Sequence, residues 1–116
     1  MYQVQILYPI GKGTTFNWDH YFAVHVPQAM AALRRFSNAV KLEIVQPLDD
    51  SPSKINHCVG VITLPDDAAL EGFRRLLASD EALPVLADVP NYTTAEAHFV
   101  INRVITFDAN ADRISG

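Results

Sequence analysis

Residues 16–30 read FNWDHYFAVHVPQAM, and this stretch decides how the chain continues from its first strand. Asn17 is a good N-cap for a helix that starts near Trp18, because its side-chain oxygen can accept hydrogen bonds from the free N–H groups of the first turn. Phe16 can pack against Tyr21 as a hydrophobic staple. The stretch therefore predicts a first helix, whose apolar pattern continues to about residue 36.

This helix carries a titratable ring and a helix breaker two positions apart. His25 falls within the apolar stripe, and Pro27 lacks the N–H that would bond to the carbonyl of Ala23. We therefore expect the helix axis to bend or restart around Val26. The stripe recurs at helical spacing and comprises Trp18, Tyr21, Phe22, His25, Ala29, Ala32, Leu33 and Phe36.

The rest of the chain alternates between strand and helix patterns. Residues 2–8 alternate with a period of two, which predicts a strand that ends at Pro9. The later elements are predicted, in order, as a strand over residues 40–46, a strand over residues 58–64, a helix capped by Asp66 or Asp67, a short helical turn within residues 79–89 interrupted by Pro84, and a long last strand over residues 97–107. We interpret residues 1–107 as one domain and residues 108–116 as a polar C-terminal tail.

This order of elements folds most simply as an α+β, ferredoxin-like split βαβ (βαββαβ) antiparallel sheet with both helices on one face. The last strand nevertheless carries apolar residues on both faces, with Val100 on one and Phe99 and Ile101 on the other. A sheet that exposed so much apolar surface would be an association site. We therefore expect self-association through the face that the helices leave free. Whether the face with His98 and Asn102 lines the interior stays open.

Length and composition fit one small globular domain. The 116 residues are 49% hydrophobic and 19% charged, with a net charge of −4. Basic residues are scattered among acids, so the sequence lacks the positive stripe that binds nucleic acid. No apolar run approaches the roughly 20 residues of a membrane span, and the N-terminal stretch lacks the pattern of a signal peptide. We expect a cytoplasmic protein with neither nucleic-acid nor membrane partners.

Three segments and the order of elements resemble the EthD family, which is named for a protein of ethyl tert-butyl ether degradation. The segments are LYP at residues 7–9, FNWDHYFAVHVP at residues 16–27 and ADVPNYTTAEAHFVI at residues 87–101. The family's His-x-Pro element is matched by His25 and Pro27, and the resemblance covers residues 2–107. The sequence departs from the family pattern at Asn17, where Asp is common, and at His20, where an aromatic residue is common.

The resemblance implies a dimeric α+β barrel, in which two ferredoxin-like subunits close their sheets around a shared interior. It also implies that the chain binds a small hydrophobic organic compound and takes part in its oxidative degradation. The wider barrel superfamily includes monooxygenases, isomerases, dehalogenases and polyketide cyclases, so it stays open whether the chain is itself an enzyme. The expected partners are a second copy, a small hydrophobic molecule and an oxygenase.

His25 is the candidate catalytic residue. An imidazole with a reference pKa of about 6.5 can act as acid and as base at neutral pH. The His-x-Pro element of the family also falls on this residue. The alternative is a core histidine that hydrogen-bonds a backbone carbonyl, such as one left free by Pro27.

Tyr8, Tyr21, Asn91 and Tyr92 are the candidate substrate-binding residues. Tyr8 ends the first strand, Tyr21 shares the helical stripe with His25, and Asn91 and Tyr92 precede the last strand. The fold could bring these residues to one end of the barrel. Their hydroxyl and amide groups would orient a carbonyl or a phenol in an apolar cleft. The alternative is a set of core tyrosines and an asparagine that closes a turn.

The sequence predicts neither a metal site nor a cofactor site. His20 and His25 are five residues apart, which in a regular α-helix places them about 140° from each other around the axis. Cys58 follows His57 directly, so in an extended strand their side chains point to opposite faces and cannot form a Cys-His pair. Cys58 is the single cysteine and is expected to fill the core.

Three functional hypotheses remain. The first is an EthD-like protein that binds a small hydrophobic compound and takes part in its oxidation, directly or as an accessory to an oxygenase. The second is a cofactor-independent cyclase, isomerase or lyase with His25 as general acid/base. The third is a non-catalytic binding or assembly module, which a His25 ring sealed among Trp18, Phe22 and Leu33 would favour.

Overall fold

The computed structural model describes residues 1–37 and 40–109, and the backbone of residues 111–114. The strands in this part of the chain are β1 (Tyr2–Pro9), β2 (Lys41–Val45), β3 (Asn56–Leu64), β4 (His98–Arg103), β5 (Thr106–Asp108) and β6 (Ala111–Ile114). The α-helices are α1 (Trp18–His20), α2 (Val26–Phe36), α3 (Asp67–Leu77) and α4 (Leu83–Ala87). A π-helical segment (Tyr21–His25) joins α1 to α2, and 3₁₀ turns (Asp80–Ala82 and Val89–Asn91) flank α4.

The main sheet confirms the predicted α+β, ferredoxin-like architecture. Four strands pair in the order β2-β3-β1-β4, and each neighbouring pair is antiparallel. Val4 in the central β1 is opposite both Ile62 and Ile101, so these three side chains share one face. Because α2 and α3 both pack on that face, the helix layer lies on one side of the sheet.

The main core lies between the sheet and the two longer helices. Its buried members are Val4, Ala32, Leu33, Ile62, Leu64, Ala69, Phe73, Leu76 and Ala82. Helices α2 and α3 approach closely at Gly72, where an added Cβ would lie 3.0 Å from the carbonyl oxygen of Phe36. Glycine allows this close approach, because a side chain at this position would need the two helices to separate by a few tenths of an ångström.

Helix α3 and the segment after it follow the predicted pattern with two differences. Asp66 is the N-cap, and its side chain accepts a hydrogen bond of 2.8 Å from the N–H of Ala69. The apolar residues Leu70, Phe73, Leu76 and Leu77 recur at helical spacing, which predicts one buried stripe, but Leu77 is exposed. Pro84 lies in the first turn of α4, where its missing N–H disturbs no helical hydrogen bond, so it starts a helix instead of interrupting one.

The face of the sheet away from the helices is a mixture of apolar and polar side chains. Pairing of Leu7 with His98, Gln5 with Val100 and Gln3 with Asn102 places all six on this face. Val59, Val61 and Thr63 of β3 join them, and Asn102 donates a hydrogen bond of 3.1 Å to Gln5. We call this surface the open face. The helices leave it uncovered, as the sequence predicted.

The last predicted strand is shorter than expected, and the segment after it is not simply a tail. Strand β4 ends at Arg103, and the next residue, Val104, donates a backbone hydrogen bond of 3.0 Å to Met1. Strands β5 and β6 then form a separate two-stranded antiparallel sheet. The expected strand over residues 97–107 therefore divides in two. Residues 110, 115 and 116 of the predicted polar tail lie outside the described residues.

Candidate functional site

The helix that leads from β1 changes its hydrogen bonding before Pro27. Asn17 caps α1, since its side-chain oxygen accepts a hydrogen bond of 3.1 Å from the N–H of His20. The N–H of Val26 then donates to the carbonyl of Tyr21, a π-helical i to i−5 bond. Helix α2 begins at Val26 with Pro27 in its first turn, which confirms the predicted restart.

The π-helical segment rotates the residues before Pro27 relative to those after it. Tyr21 and His25 point inward, whereas Phe22, which was assigned to the apolar stripe, is 51% exposed. The expected separation of about 140° between His20 and His25 also fails, because it assumed 3.6 residues per turn. The rings of His20 and His25 instead reach the same carboxylate, that of Asp88.

A second contact holds the segment before β4 against the start of α1. The N–H of Asn17 donates a hydrogen bond of 2.6 Å to the carbonyl of Tyr92, and Phe16 forms a β-bridge with Thr93. The hydroxyl of Thr93 donates to the carbonyl of Thr15 at 2.7 Å. These bonds place the Tyr92 side chain over the π-helical segment.

A chain of hydrogen bonds joins three of the predicted site residues. The hydroxyl oxygens of Tyr8 and Tyr92 are 2.7 Å apart, and the Tyr92 hydroxyl lies 3.3 Å from Nε2 of His25. Both tyrosines are 2% exposed and His25 is 7% exposed, so the chain is enclosed by protein. The His25 ring contacts those of Tyr21 and Tyr92, with centroids 5.5 and 4.6 Å away.

Asp88 continues the chain on the other side of His25. Its Oδ2 lies 3.1 Å from Nδ1 of His25, and its Oδ1 lies 2.9 Å from Nε2 of His20. The side-chain amide of Asn91 donates to the same Oδ1 at 3.0 Å. Asp88 was not among the residues predicted from the sequence. It is the single acid between Glu81 and Glu96 and lies in the segment matched to the EthD pattern, which is the signal that could have identified it.

The charge on Asp88 fixes the hydrogen positions along this chain. Burial alone raises the pKa of Asp88, but hydrogen bonds from Asn91, His20 and His25 outweigh it and hold that pKa below its usual range. An ionised carboxylate only accepts hydrogen bonds, so Nδ1 of His25 carries the hydrogen and Nε2 is left with a lone pair. The Tyr92 hydroxyl then donates to Nε2, and the Tyr8 hydroxyl donates to Tyr92.

His25 and the three tyrosines of this site are held in their neutral forms, whereas Asp88 is ionised. Burial lowers the pKa of His25 despite the opposing effect of Asp88. Burial raises the pKa of Tyr8 to about 12 and raises those of Tyr21 and Tyr92 as well. Near pH 7 the site is therefore a neutral imidazole, ordered by an ionised carboxylate and surrounded by neutral phenols.

Of the other two predicted site residues, Tyr21 lies within this arrangement and Asn91 lies at its edge. Tyr21 packs its ring 5.0 Å from that of Phe16, which confirms the predicted staple, and 5.0 Å from that of Tyr92. Asn91 is exposed, and its side-chain amide donates to Asp88. The fold thus gathers Tyr8, Tyr21, Tyr92 and His25, and Asn91 reaches them through Asp88.

The part of the chain that the structure describes contains no group of three His, Cys, Asp or Glu side chains arranged to hold a metal ion. No described helix is long and apolar enough to cross a membrane. Cys58 is buried beside Tyr8 in the second core cluster, as predicted, and burial raises the pKa of its thiol to about 11. His57 instead pairs its Nε2 with the hydroxyl of Thr14 at 2.9 Å.

A separate groove of about 430 Å³ lies between α2 and the turn before α4. Gln28, Arg35, Asp80, Glu81 and Pro84 contribute to its walls, and Arg35 and Glu81 form an ion pair of 3.0 Å there. His25 and the tyrosines do not line it, so it is distinct from the enclosed cluster.

Fold and site together define a small ferredoxin-like α+β protein with an enclosed cluster of phenols, imidazoles and one carboxylate. No family model and no curated protein sequence matches the chain. Solved structures do match the chain. An EthD-like protein from Ralstonia eutropha matches with a TM-score of 0.69 and 19% identity, over 94% of this chain and 96% of that one.

Two further structures show the same architecture. An EthD family protein from Bacillus halodurans matches with a TM-score of 0.58 and 16% identity, over 90% of this chain and 98% of that one. A variant of SnoaB, a cofactor-independent oxygenase from Streptomyces nogalater, matches with a TM-score of 0.58 and 19% identity, over 89% and 90% of the two chains. The chain therefore has the fold of EthD-like proteins, which confirms at the level of the fold the resemblance found in the sequence.

Proposed function

We propose that this chain binds a small hydrophobic organic compound and takes part in its oxidative degradation, with His25 as the general acid/base. The observation that carries the proposal is the position of the His25 ring between Asp88 and Tyr92. A carboxylate on Nδ1 orients a histidine so that Nε2 can accept a proton, and it stabilises the imidazolium that forms. The same arrangement recurs in unrelated hydrolytic enzymes.

In this proposal Nε2 of His25 accepts a proton from an acidic O–H or C–H group of the compound. The Tyr92 hydroxyl gives up its bond to Nε2 and donates to an oxygen of the compound instead, with Tyr8 and Tyr21 as neighbouring phenols. Because the pKa of Tyr8 is about 12, this phenol stays protonated and serves as a donor. In an oxygenation the resulting anion supplies the electrons and dioxygen is the oxidant.

The oxidative part of the proposal is motivated by the fold shared with SnoaB, which is described as a cofactor-independent oxygenase. A second function, that of a cyclase, isomerase or lyase, uses the same proton transfer without dioxygen. The geometry of His25 and Asp88 supports both equally, since proton transfer is the common step.

The non-catalytic alternative draws support from burial. Tyr8 and Tyr92 are each 2% exposed, so a compound reaches the hydroxyl groups only after neighbouring side chains move. The His25 ring packs against Tyr21 and Tyr92, which differs from the predicted seal of Trp18, Phe22 and Leu33. An accessory role beside an oxygenase partner would likewise need binding without turnover.

We also propose that two copies associate through the open face. Val100 is 38% exposed on this face, and Val45 and Val59 extend the apolar area toward one end. Burying these apolar side chains against a second copy would stabilise the dimer through the hydrophobic effect.

These functions are separated by one experiment with a panel of phenols and keto acids. The purified protein is incubated with each compound in air and under nitrogen, while oxygen uptake and loss of the compound are followed. Conversion that requires air and consumes oxygen supports the oxygenase function, and equal conversion under nitrogen supports the cyclase, isomerase or lyase. Binding by calorimetry without conversion would contradict catalysis and favour the accessory or non-catalytic function.

A further inference from the structure

His20 and His25 share one carboxylate, but they differ in exposure and in position. The side chain of His20 is 28% exposed, whereas those of His25 and Asp88 are 9% exposed. Each histidine contacts a different oxygen of Asp88, His20 at Oδ1 and His25 at Oδ2. The π-helical segment is what allows both rings to face the same group, because a regular helix would separate them.

The two oxygens of Asp88 have different roles. Oδ1 accepts from His20 Nε2 at 2.9 Å and from Asn91 Nδ2 at 3.0 Å, and Oδ2 faces Nδ1 of His25. Two donors on Oδ1 fix the rotation of the carboxylate about its Cβ–Cγ bond. That rotation decides whether Oδ2 points at His25.

Asn91 and His20 restrain the carboxylate from different sides. Asn91 is three residues after Asp88 and moves with the same turn. His20 is on a different element, which Asn17 caps at its start. His20 is therefore the contact that fixes the Asp88 carboxylate relative to the segment that carries His25.

We propose that His20 is a positioning residue for His25: by donating from Nε2 to Oδ1 of Asp88, it keeps Oδ2 on Nδ1 of His25 and so keeps Nε2 of His25 unprotonated and able to accept a proton from the compound. The proposal rests on the general acid/base function proposed above for His25. It gives a role to a residue that departs from the EthD pattern. The His20 ring also stacks on that of Tyr92, with centroids 6.3 Å apart, and because His20→Phe keeps an aromatic ring there, a loss in that variant reports the bond to Asp88.

Two substitutions separate positioning from mere space filling. His20→Gln keeps a side-chain N–H that can donate to Oδ1, and His20→Phe keeps an aromatic ring without a donor. His57→Phe is a matched control, since His57 bonds to Thr14 and lies outside this chain of contacts. Circular dichroism and unfolding curves establish that each variant is folded.

The first readout needs no substrate. Nitrogen-15 NMR of the histidine rings reports which nitrogen of His25 carries the hydrogen. We expect a single Nδ1–H form in the wild type, in His20→Gln and in His57→Phe, and a mixture of both forms in His20→Phe. A single Nδ1–H form in folded His20→Phe would overturn the proposal, as would a mixture in His57→Phe. If His20→Phe does not fold, a mixture of the two forms in His20→Gln would overturn it.

The second readout uses any compound that the wild type converts. His20→Phe should lower kcat by about tenfold with little change in KM, because the loss falls on proton transfer and not on binding. His20→Gln should retain most of the wild-type kcat. If the wild type converts nothing and the NMR result holds, the positioning role stands and the proposed function fails. If the wild type turns over and His20→Phe matches it, the positioning role fails alone.

Discussion

Asp88 Oδ2 lies 3.1 Å from Nδ1 of His25, although 63 residues separate the two in the chain. Asp88 follows α4, and His25 ends the π-helical segment, so the contact exists only when the turn before β4 is placed against the first helix. It ties the acid/base properties of His25 to the tertiary fold. Several measurable consequences depend on it.

Replacing Asp88 should destabilise the fold. In Asp88→Asn, the hydrogen bonds from His20, His25 and Asn91 lose their charged acceptor. One of these three donors then faces the amide N–H₂ group instead of an oxygen. We expect the free energy of unfolding to fall by about 1–3 kcal/mol, measured by urea denaturation. Asp80→Asn is the control, because Asp80 is exposed. Equal unfolding midpoints for the two variants would contradict the role of Asp88.

The free energy of unfolding should decrease as the pH falls through the range in which His25 binds a proton. The groups around its ring are Asp88, His20, Tyr21 and Tyr92, and burial lowers its folded-state pKa. The unfolded chain, whose histidine has a pKa of about 6.5, therefore binds more protons as the pH falls below that value. The stabilising effect of the neutral ring is complete above about pH 6.5 and is lost toward the folded-state pKa.

The measurement is the free energy of unfolding from pH 8 to pH 5 in wild type, His25→Asn and His57→Asn. The decrease should be smaller in His25→Asn and retained in His57→Asn, since His57 bonds to Thr14 and lies outside the chain of contacts around His25. A separate loss is expected as the pH falls below about 3.9, because the unfolded chain then binds a proton at Asp88 before the folded chain does, and it is complete below the lowered folded-state pKa. A wild-type slope retained by His25→Asn between pH 6.5 and pH 5 would show that His25 is not the group responsible.

The two enclosed tyrosines should not be equivalent. Tyr8→Phe removes the hydrogen bond to Tyr92 and the contact with the Tyr21 hydroxyl, whereas Tyr92→Phe removes the bond to Tyr8 and leaves Nε2 of His25 without its donor. A buried acceptor left without a donor costs about 1–3 kcal/mol, so Tyr92→Phe should be the more destabilising change in urea unfolding. It should also raise the pKa of His25 in an NMR titration, because a donor to the neutral Nε2 is lost. A smaller effect for Tyr92→Phe than for Tyr8→Phe would contradict the assigned chain.

Association through the open face predicts a dimer. Light scattering after size exclusion should give a mass near twice the 12.9 kDa of the chain. Val100→Lys should shift the protein toward the monomer, because it places a charge in the apolar contact. Val24→Lys is a matched control, since Val24 is 44% exposed on the π-helical segment, away from the open face. A monomeric wild type at micromolar concentration, or equal effects of the two substitutions, would refute this interface.

Much of the fold follows from local patterns in the sequence, whereas the π-helical segment and the role of Asp88 do not. The cap at Asn17, the restart at Val26 and the alternation of β1 depend on nearby residues, so they could be predicted. The π-helical turn could not be predicted, because the spacing of the apolar residues in this stretch also fits a regular α-helix. It is recognised only once the rings of His20 and His25 are seen at Asp88.

Grouping of the tyrosines with His25 was predictable from topology, since β1, the first helix and the segment before β4 meet at one end of the sheet. The contact of Asp88 with His25 was not predictable, because a single acidic residue in a turn is most often exposed to solvent. Its burial depends on two rings and an amide that converge from both sides. The long last strand was also misjudged, since its alternation continues past Arg103 although the pairing with β1 does not.

The activity of His25→Gln tests the central claim most directly. Wild type and His25→Gln are compared on a compound from the phenol and keto-acid panel that the wild type converts, with His57→Gln as the control, because His57 bonds to Thr14. The account predicts that kcat falls by about 10²–10⁴-fold in His25→Gln while the compound still binds, and that His57→Gln is unaffected. Wild-type kcat in folded His25→Gln would contradict it.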